Sequence, residues 1–333
     1  MVSMMDHFNE FAYEEVAKTT SPKRIPKFTE RYHTVDGAQR AFVPLVRPDT
    51  LWFNTGTLCN ITCKNCYIES SPQNDRLVYI SADEVNSFLD QIETRKWPIE
   101  TIGLTGGEPF MNFDIIEIVT NILSRRYQLM VLTNAMRPMM RPRIMASLLE
   151  IQRKYGERLI LRVSLDHYDE RKHDFIRGKG SFQIAIKGLG WLSRNGFQIA
   201  LASRMYWGEN EEQTRKGFER FIGKHNLKVD PHDPNQLVLF PEMDVTRDAT
   251  EITTSCWKIL NKNPTDVMCS SSRMVIKRRN AENPVVVSCT LLPYSEEFEM
   301  GATLAEAEKP VFLNHKFCSQ FCVLGGASCK PKE

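Results

Sequence analysis

Cys59, Cys63 and Cys66 stand in the run Cys59-Asn60-Ile61-Thr62-Cys63-Lys64-Asn65-Cys66-Tyr67, just after the apolar stretch Leu51-Trp52-Phe53. Three soft ligands at this spacing point to metal chemistry. A structural zinc site takes four ligands and is usually built from paired CxxC units. An iron–sulfur cubane held by three thiolates instead leaves one iron open to a substrate or cofactor. On the residues alone, a buried cysteine cluster or a zinc knuckle lacking its fourth ligand competes with that reading.

Other residues suited to binding recur downstream. Gly106-Gly107-Glu108-Pro109 forms a glycine turn that lets backbone approach a ligand closely; a plain strand-to-helix turn reads the same way. Thr133-Asn134 follows, then Ser164-Leu165-Asp166-His167 and His173-Asp174-Phe175-Ile176-Arg177-Gly178. Each of these polar residues could equally cap a helix or pair on the surface, and His167 and His173 read as structural. Six of the nine cysteines lie beyond residue 250. Cys269 and Cys289 end two alternating stretches joined by a turn at Asn283-Pro284, a β-hairpin pattern. Cys318, Cys322 and Cys329 follow, and thiol groups this far apart in sequence suit one metal site assembled by folding.

Elements that would position these residues can be read from hydrophobic periodicity. Strands are expected at Leu51 to Asn54, Thr101 to Leu104, Gln128 to Leu132, Leu159 to Ser164, Phe197 to Ser203 and Gln236 to Phe240. Helices are expected between them: one opening on a Ser81/Glu84 capping box, then Phe113 to Tyr127, Arg141 to Tyr155, Ser181 to Asn195 and Glu211 to His225. Such alternation implies parallel βαβ units with right-handed crossovers, in an open sheet or a partial barrel. The rhythm changes after Phe240. The expected division is an N-terminal extension at 1–48 with a short helix around His7 to Ala17, a core at 49–245, and a small cysteine-rich domain at 250–333.

The cysteine spacing resembles the signature of the radical S-adenosylmethionine (SAM) superfamily, with Tyr67 next to the last cysteine. Gly106 to Pro109 resembles its GGEP motif, and the Ser164–Gly178 segment resembles the "SxD … HDxxRG" stretch of the branch with sulfatase and peptide maturases. The resemblance implies an α/β fold, a (β/α)6 partial TIM barrel with chemistry at the C-terminal strand ends. It implies that Cys59, Cys63 and Cys66 hold a 4Fe-4S cluster whose fourth iron chelates SAM, and that one electron then releases a 5'-deoxyadenosyl radical. Tyr67, Gly106, Gly107 and Glu108 would then contact the cofactor, with Ser164 and Asp166 at the ribose and Arg177 at the SAM carboxylate or ribose. The C-terminal cysteines look like a Twitch or shortened SPASM domain, although Pro284 replaces the usual glycine. This implies one auxiliary 4Fe-4S cluster, with zinc as the alternative, on ligands from Cys269, Cys289, Cys318, Cys322 and Cys329, with Cys256 as an alternate.

Composition narrows the setting. With 43 basic and 41 acidic residues the net charge is +2, which argues against nucleic acid or an anionic membrane as main partner. No signal peptide or membrane span is visible, so a cytoplasmic protein with reduced thiols is expected. The leading expectation is a radical SAM enzyme oxidising a substrate or forming a bond within it, supplied with electrons by a flavodoxin or ferredoxin. Only 58 residues precede Cys59, and no winged-helix leader-binding pattern appears in them. That favours a small molecule, or a peptide delivered by a separate partner protein. A SPASM-type peptide maturase and a non-catalytic metal-binding scaffold are the alternatives.

Overall fold

The computed structural model describes residues 26–243, 246 and 248–326. The expected helix at His7 to Ala17 and the candidate ligand Cys329 lie outside the described residues.

The described chain begins with a short strand, β1 (Phe42–Val43), and enters the core at β2 (Thr50–Asn54). From there it alternates α1 (Ala82–Arg95), β3 (Thr101–Thr105), α2 (Ile115–Ser124), β4 (Gln128–Thr133), α3 (Pro142–Tyr155) and β5 (Leu159–Ser164). Two helices, α4 (Glu170–Arg177) and α5 (Ser181–Arg194), precede β6 (Gln198–Met205), followed by α6 (Glu211–His225) and β7 (Leu237–Pro241). Beyond α7 (Cys256–Ile259) lie β8 (Ser272–Ile276), β9 (Val285–Val287), β10 (Glu299–Gly301), β11 (Val311–Phe312) and a π-helical turn at Cys318–Val323.

Strands β2 to β7 are parallel and lie side by side in chain order. A doubly wound sheet would reverse order at a switch point. Unbroken order winds the chain one way, as in a TIM-type barrel, and matches the expected partial barrel. All five residues of β2 are buried, as in a parallel sheet covered on both faces. Helix α1 shows how sequence sets these elements. Ser81 Oγ accepts from Glu84 N, Glu84 Oε2 accepts from Ser81 N, and Val85, Phe88, Leu89 and Ile92 form the buried stripe. Helix α4 is an addition to the expected set; Asp169 caps it by accepting from the Arg171 and Lys172 amides.

The C-terminal hairpin forms as expected, β8 pairing antiparallel with β9. It continues the core sheet: β8 pairs parallel with β2, giving the order β10-β9-β8-β2-β3-β4-β5-β6-β7. The N-terminal segment is tied to the same region by a buried ion pair, Arg40 Nη2 to Glu251 Oε1 at 2.6 Å. Glu251 also accepts from the amides of Phe28 and Val35.

Candidate active site

The loops at the C-terminal ends of β2 to β7 surround one cavity of about 170 Å³. The loop after β2 brings Cys59, Cys63, Cys66 and Tyr67 to its wall, the loop after β3 brings Gly106 and Gly107, and β4 and β5 end in Thr133-Asn134 and Ser164. Asp166, Arg177, Arg204 and Phe240 complete that rim, while Thr290 and Leu291 close it from the segment after β9. Trp52 lies in the cavity floor. A Cβ on Gly103, its partner across β3, would fall 2.2 Å from the indole, so glycine there makes the slot for the ring.

The turn after β3 is pressed against the cysteine loop. Gly107 N donates to the Gly56 carbonyl at 2.8 Å and Glu108 N to the Leu58 carbonyl at 3.2 Å. A Cβ on Gly107 would sit 2.1 Å from the Leu58 carbonyl oxygen, and one on Gly106, where φ is +142°, 2.4 Å from that of Gly56. Both neighbours are backbone and cannot swing aside. Glu108, expected to touch the cofactor, turns its buried carboxylate to the end of β4. There it accepts from Thr133 Oγ1 and Asn134 N, both at 2.8 Å. Burial, only partly offset by these hydrogen bonds, pushes its carboxyl up to about 7. Asn134 extends the link, its Nδ2 lying 2.8 Å from Asn60 Oδ1 and 3.9 Å from Cys59 Sγ.

On the opposite side, Asp166 is clamped between two guanidiniums. Arg177 Nε meets Oδ2 at 2.7 Å and Arg204 Nε meets Oδ1 at 3.1 Å. Asp166 is deeply buried, yet the two cations outweigh desolvation and hold its carboxyl well below the usual carboxylate range. Arg204 also donates to the carbonyls of Asn65 and Lys64, inside the cysteine run, at 3.0 and 3.2 Å. Arg204 carried one signal in the sequence: a charge near the end of the mostly small and apolar strand Gln198–Met205. Burial pushes the Cys59 thiol up to about 12 and raises that of Cys63, Arg177 opposing it in the latter. Such thiols give up their protons when a metal replaces them.

A second, smaller cavity is lined by Cys269, Cys289, Cys318 and Cys322, among Met268, Leu292, Phe298 and Leu313. Cys256 stands apart from it, its sulfur 3.4 Å from the donating amide of Thr253. Arg273, missed by sequence reasoning, is buried in β8, where it donates to the carbonyls of Cys269 at 2.5 Å and Ala307 at 2.8 Å. A cation fixed there favours anionic sulfur. Cys289 and the next two residues run from the second cavity to the wall of the first. Among the described residues no three His, Cys, Asp or Glu side chains converge as the ligand set of a single metal ion. The thiols share cavities instead.

Residues 53–220, about half of the chain, match the family described as the Radical SAM superfamily. This chain belongs to the radical SAM superfamily. Members use a 4Fe-4S cluster and SAM, and the three thiols and the glycine turn on one cavity wall are a donor set and a cradle that fit them. Among curated relatives, the antilisterial bacteriocin subtilosin biosynthesis protein AlbA of Bacillus subtilis is 31% identical over 44% of this chain and 31% of its own. The mycofactocin maturase MftC of Mycolicibacterium smegmatis is 25% identical over 58% of this chain and 44% of its own. The likeness thus spans less than half of either relative. In fold, the chain is similar to Streptococcus suis SuiB, solved with S-adenosylmethionine. The TM-score is 0.55 at 15% identity, over 79% of this chain and 64% of that one.

Proposed function

We propose that this chain is a radical SAM enzyme in which Cys59, Cys63 and Cys66 hold the SAM-binding 4Fe-4S cluster. The carrying observation is that these thiols share one cavity with Gly106, Gly107, Ser164 and Arg177. Bound there, the cluster and SAM supply a one-electron cleavage that yields a hydrogen-abstracting 5'-deoxyadenosyl radical. The chain does the rest. Gly106 and Gly107 let backbone reach the methionine end of SAM, and Ser164 offers a hydroxyl to the ribose. Arg177 presents its charge to the carboxylate, and Tyr67 closes the cofactor side. Asp166, expected at the ribose, instead orients Arg177 and Arg204, and Arg204 holds the cysteine loop. Trp52, Phe240 and Leu291 exclude water around the reacting bond.

In this reading Cys269, Cys289, Cys318 and Cys322 would hold an auxiliary 4Fe-4S cluster able to accept the electron released when a substrate radical is oxidised; a four-thiolate zinc is the competing occupant. We keep the boundaries 1–48, 49–245 and 250–333 as functional units, the last sharing the core sheet. The names of AlbA and MftC, a bacteriocin biosynthesis protein and a maturase, favour a peptide substrate over a small molecule. A flavodoxin- or ferredoxin-type donor would supply electrons. No helix among the described residues is long and apolar enough to cross a membrane, and clustered reduced thiols favour the cytoplasm.

Anaerobically reconstituted protein should hold about eight irons, or about four with one zinc if the second site takes zinc. With dithionite and SAM it should release 5'-deoxyadenosine. Cys63→Ala should abolish this product while retaining the second cluster. Cluster-replete protein that makes none of it sinks the proposal.

A further inference from the structure

A cluster of rings joins the two cysteine cavities. Tyr67, the residue after Cys66, meets Phe240 edge-on (centroids 6.3 Å apart, planes at 87°) and Phe321 likewise (5.9 Å, 79°). Phe240 and Phe321 stack at 5.5 Å and 29°. Phe240 lines the first cavity. Phe321 is wholly buried and lies in the π-helical turn whose Cys318 and Cys322 line the second.

Both ends of this bridge are anchored. The Tyr67 hydroxyl donates to the Pro241 carbonyl at 3.1 Å, and the Arg204 guanidinium lies 5.7 Å from the Tyr67 ring centre. The turn is packed onto β7, since a Cβ on Gly325 would fall 2.9 Å from Pro241 Cγ. Lys262 Nζ donates to the Val323 carbonyl.

We infer that Phe321 is a positioning residue that couples the two cysteine sites, so that filling the second strengthens SAM binding at the first. The inference rests on the proposed occupants of both cavities and adds a linkage between them. A π-helical turn is rare and is frequently found at functional sites. Bonds from Cys318 and Cys322 to a metal centre would restrain this turn further. With the turn ordered, Phe321 braces Tyr67, and Tyr67 fixes the backbone at Cys66. Edge-on ring pairs have a preferred geometry that an aliphatic side chain of similar bulk does not reproduce. Both occupants then favour the same arrangement of the cysteine loop, and coupling of this kind is reciprocal.

The test uses full-length, anaerobically reconstituted protein with SAM as the probe. The reduced cluster at the first site should give an electron paramagnetic resonance signal that SAM alters. If wild type shows no such signal, the functional reading falls and takes the inference with it. Given that signal, emptying the second site with Cys318→Ala and Cys322→Ala should weaken SAM binding about fivefold or more and change the SAM-altered line shape. Phe321→Leu should do the same with iron retained at both sites, and combining the changes should add little. Reciprocally, saturating SAM should slow chelator removal of iron from the second site in wild type but not in Phe321→Leu. Equal stripping rates with and without SAM in the unaltered protein, or unchanged SAM affinity after the second site is emptied, overturn the coupling. The stripping experiment needs no variant, so a misfolded Phe321→Leu protein does not rescue the idea.

Discussion

His173 and Arg177 lie one helical turn apart on α4, yet their surroundings treat their charges oppositely. Arg177 keeps its charge against Asp166. His173 is fully buried beside Phe182, with neither ring nitrogen hydrogen-bonded within the described residues. Burial, aided by the nearby Arg177 charge, drives its ring down to about 3 from an ordinary 6.5. The folded state keeps the ring neutral while the unfolded chain binds a proton below 6.5. Its stabilising contribution is therefore present above 6.5 and is lost as pH falls from there toward 3. Between pH 7 and pH 5 the wild type should lose about 2 kcal/mol more stability than His173→Leu. Urea unfolding of the apoproteins at both pH values checks this, and parallel losses would refute it. The resemblance named His173, Asp166 and Arg177 together in sequence. That Asp166 spends both oxygens on guanidiniums was not legible, because its second partner, Arg204, comes from the next strand.

Between elements, the decisive contact joins the β3 turn to the loop leaving β2. It is backbone against backbone, so side-chain rearrangement cannot relieve an added methyl group. Gly107→Ala should destabilise the fold by about 2–3 kcal/mol, within the range for overpacking, and push the cysteine loop outward. Iron analysis should then show loss at the first site with the second retained; normal iron at both sites would refute the account. The glycines were legible as a close-approach turn, but what they approach was not, since the Leu58 carbonyl faces them only once β2 and β3 pair. The helices were read well wherever a cap and a stripe coincided, as at Ser81. Helix α4 escaped because its eight residues are mostly charged and bury only His173 and Ile176.

Across the whole molecule, one buried ion pair fastens the N-terminal segment to the region before the hairpin. Arg40 and Glu251 are almost inaccessible, and removing one partner leaves an uncompensated charge, at a cost of about 3–5 kcal/mol. Glu251→Gln should lower the urea midpoint accordingly, while Arg40→Met combined with Glu251→Leu should recover much of the loss. A single and a double variant equal in stability would show that the pair is not acting as a unit. The six core strands were legible because each is a short apolar run between turn residues. The place of the hairpin was not: pairing of β8 with β2 leaves no local signature, and the cysteines at its ends announced chemistry rather than topology.

That pairing has a consequence for synthesis. On the ribosome, β2 to β7 emerge with β3 already available to one side of β2, while the other side must wait for Ser272–Ile276. Until then the nascent chain presents an unpaired edge strand centred on the apolar Leu51-Trp52-Phe53, a feature that invites pairing with other chains. The hairpin flanked by Cys269 and Cys289 of the second cavity ends this exposure. A stalled or truncated chain that stops before β8 therefore lacks more than the second cysteine cavity: it is a sticky intermediate, whose solubility depends on how soon the hairpin arrives.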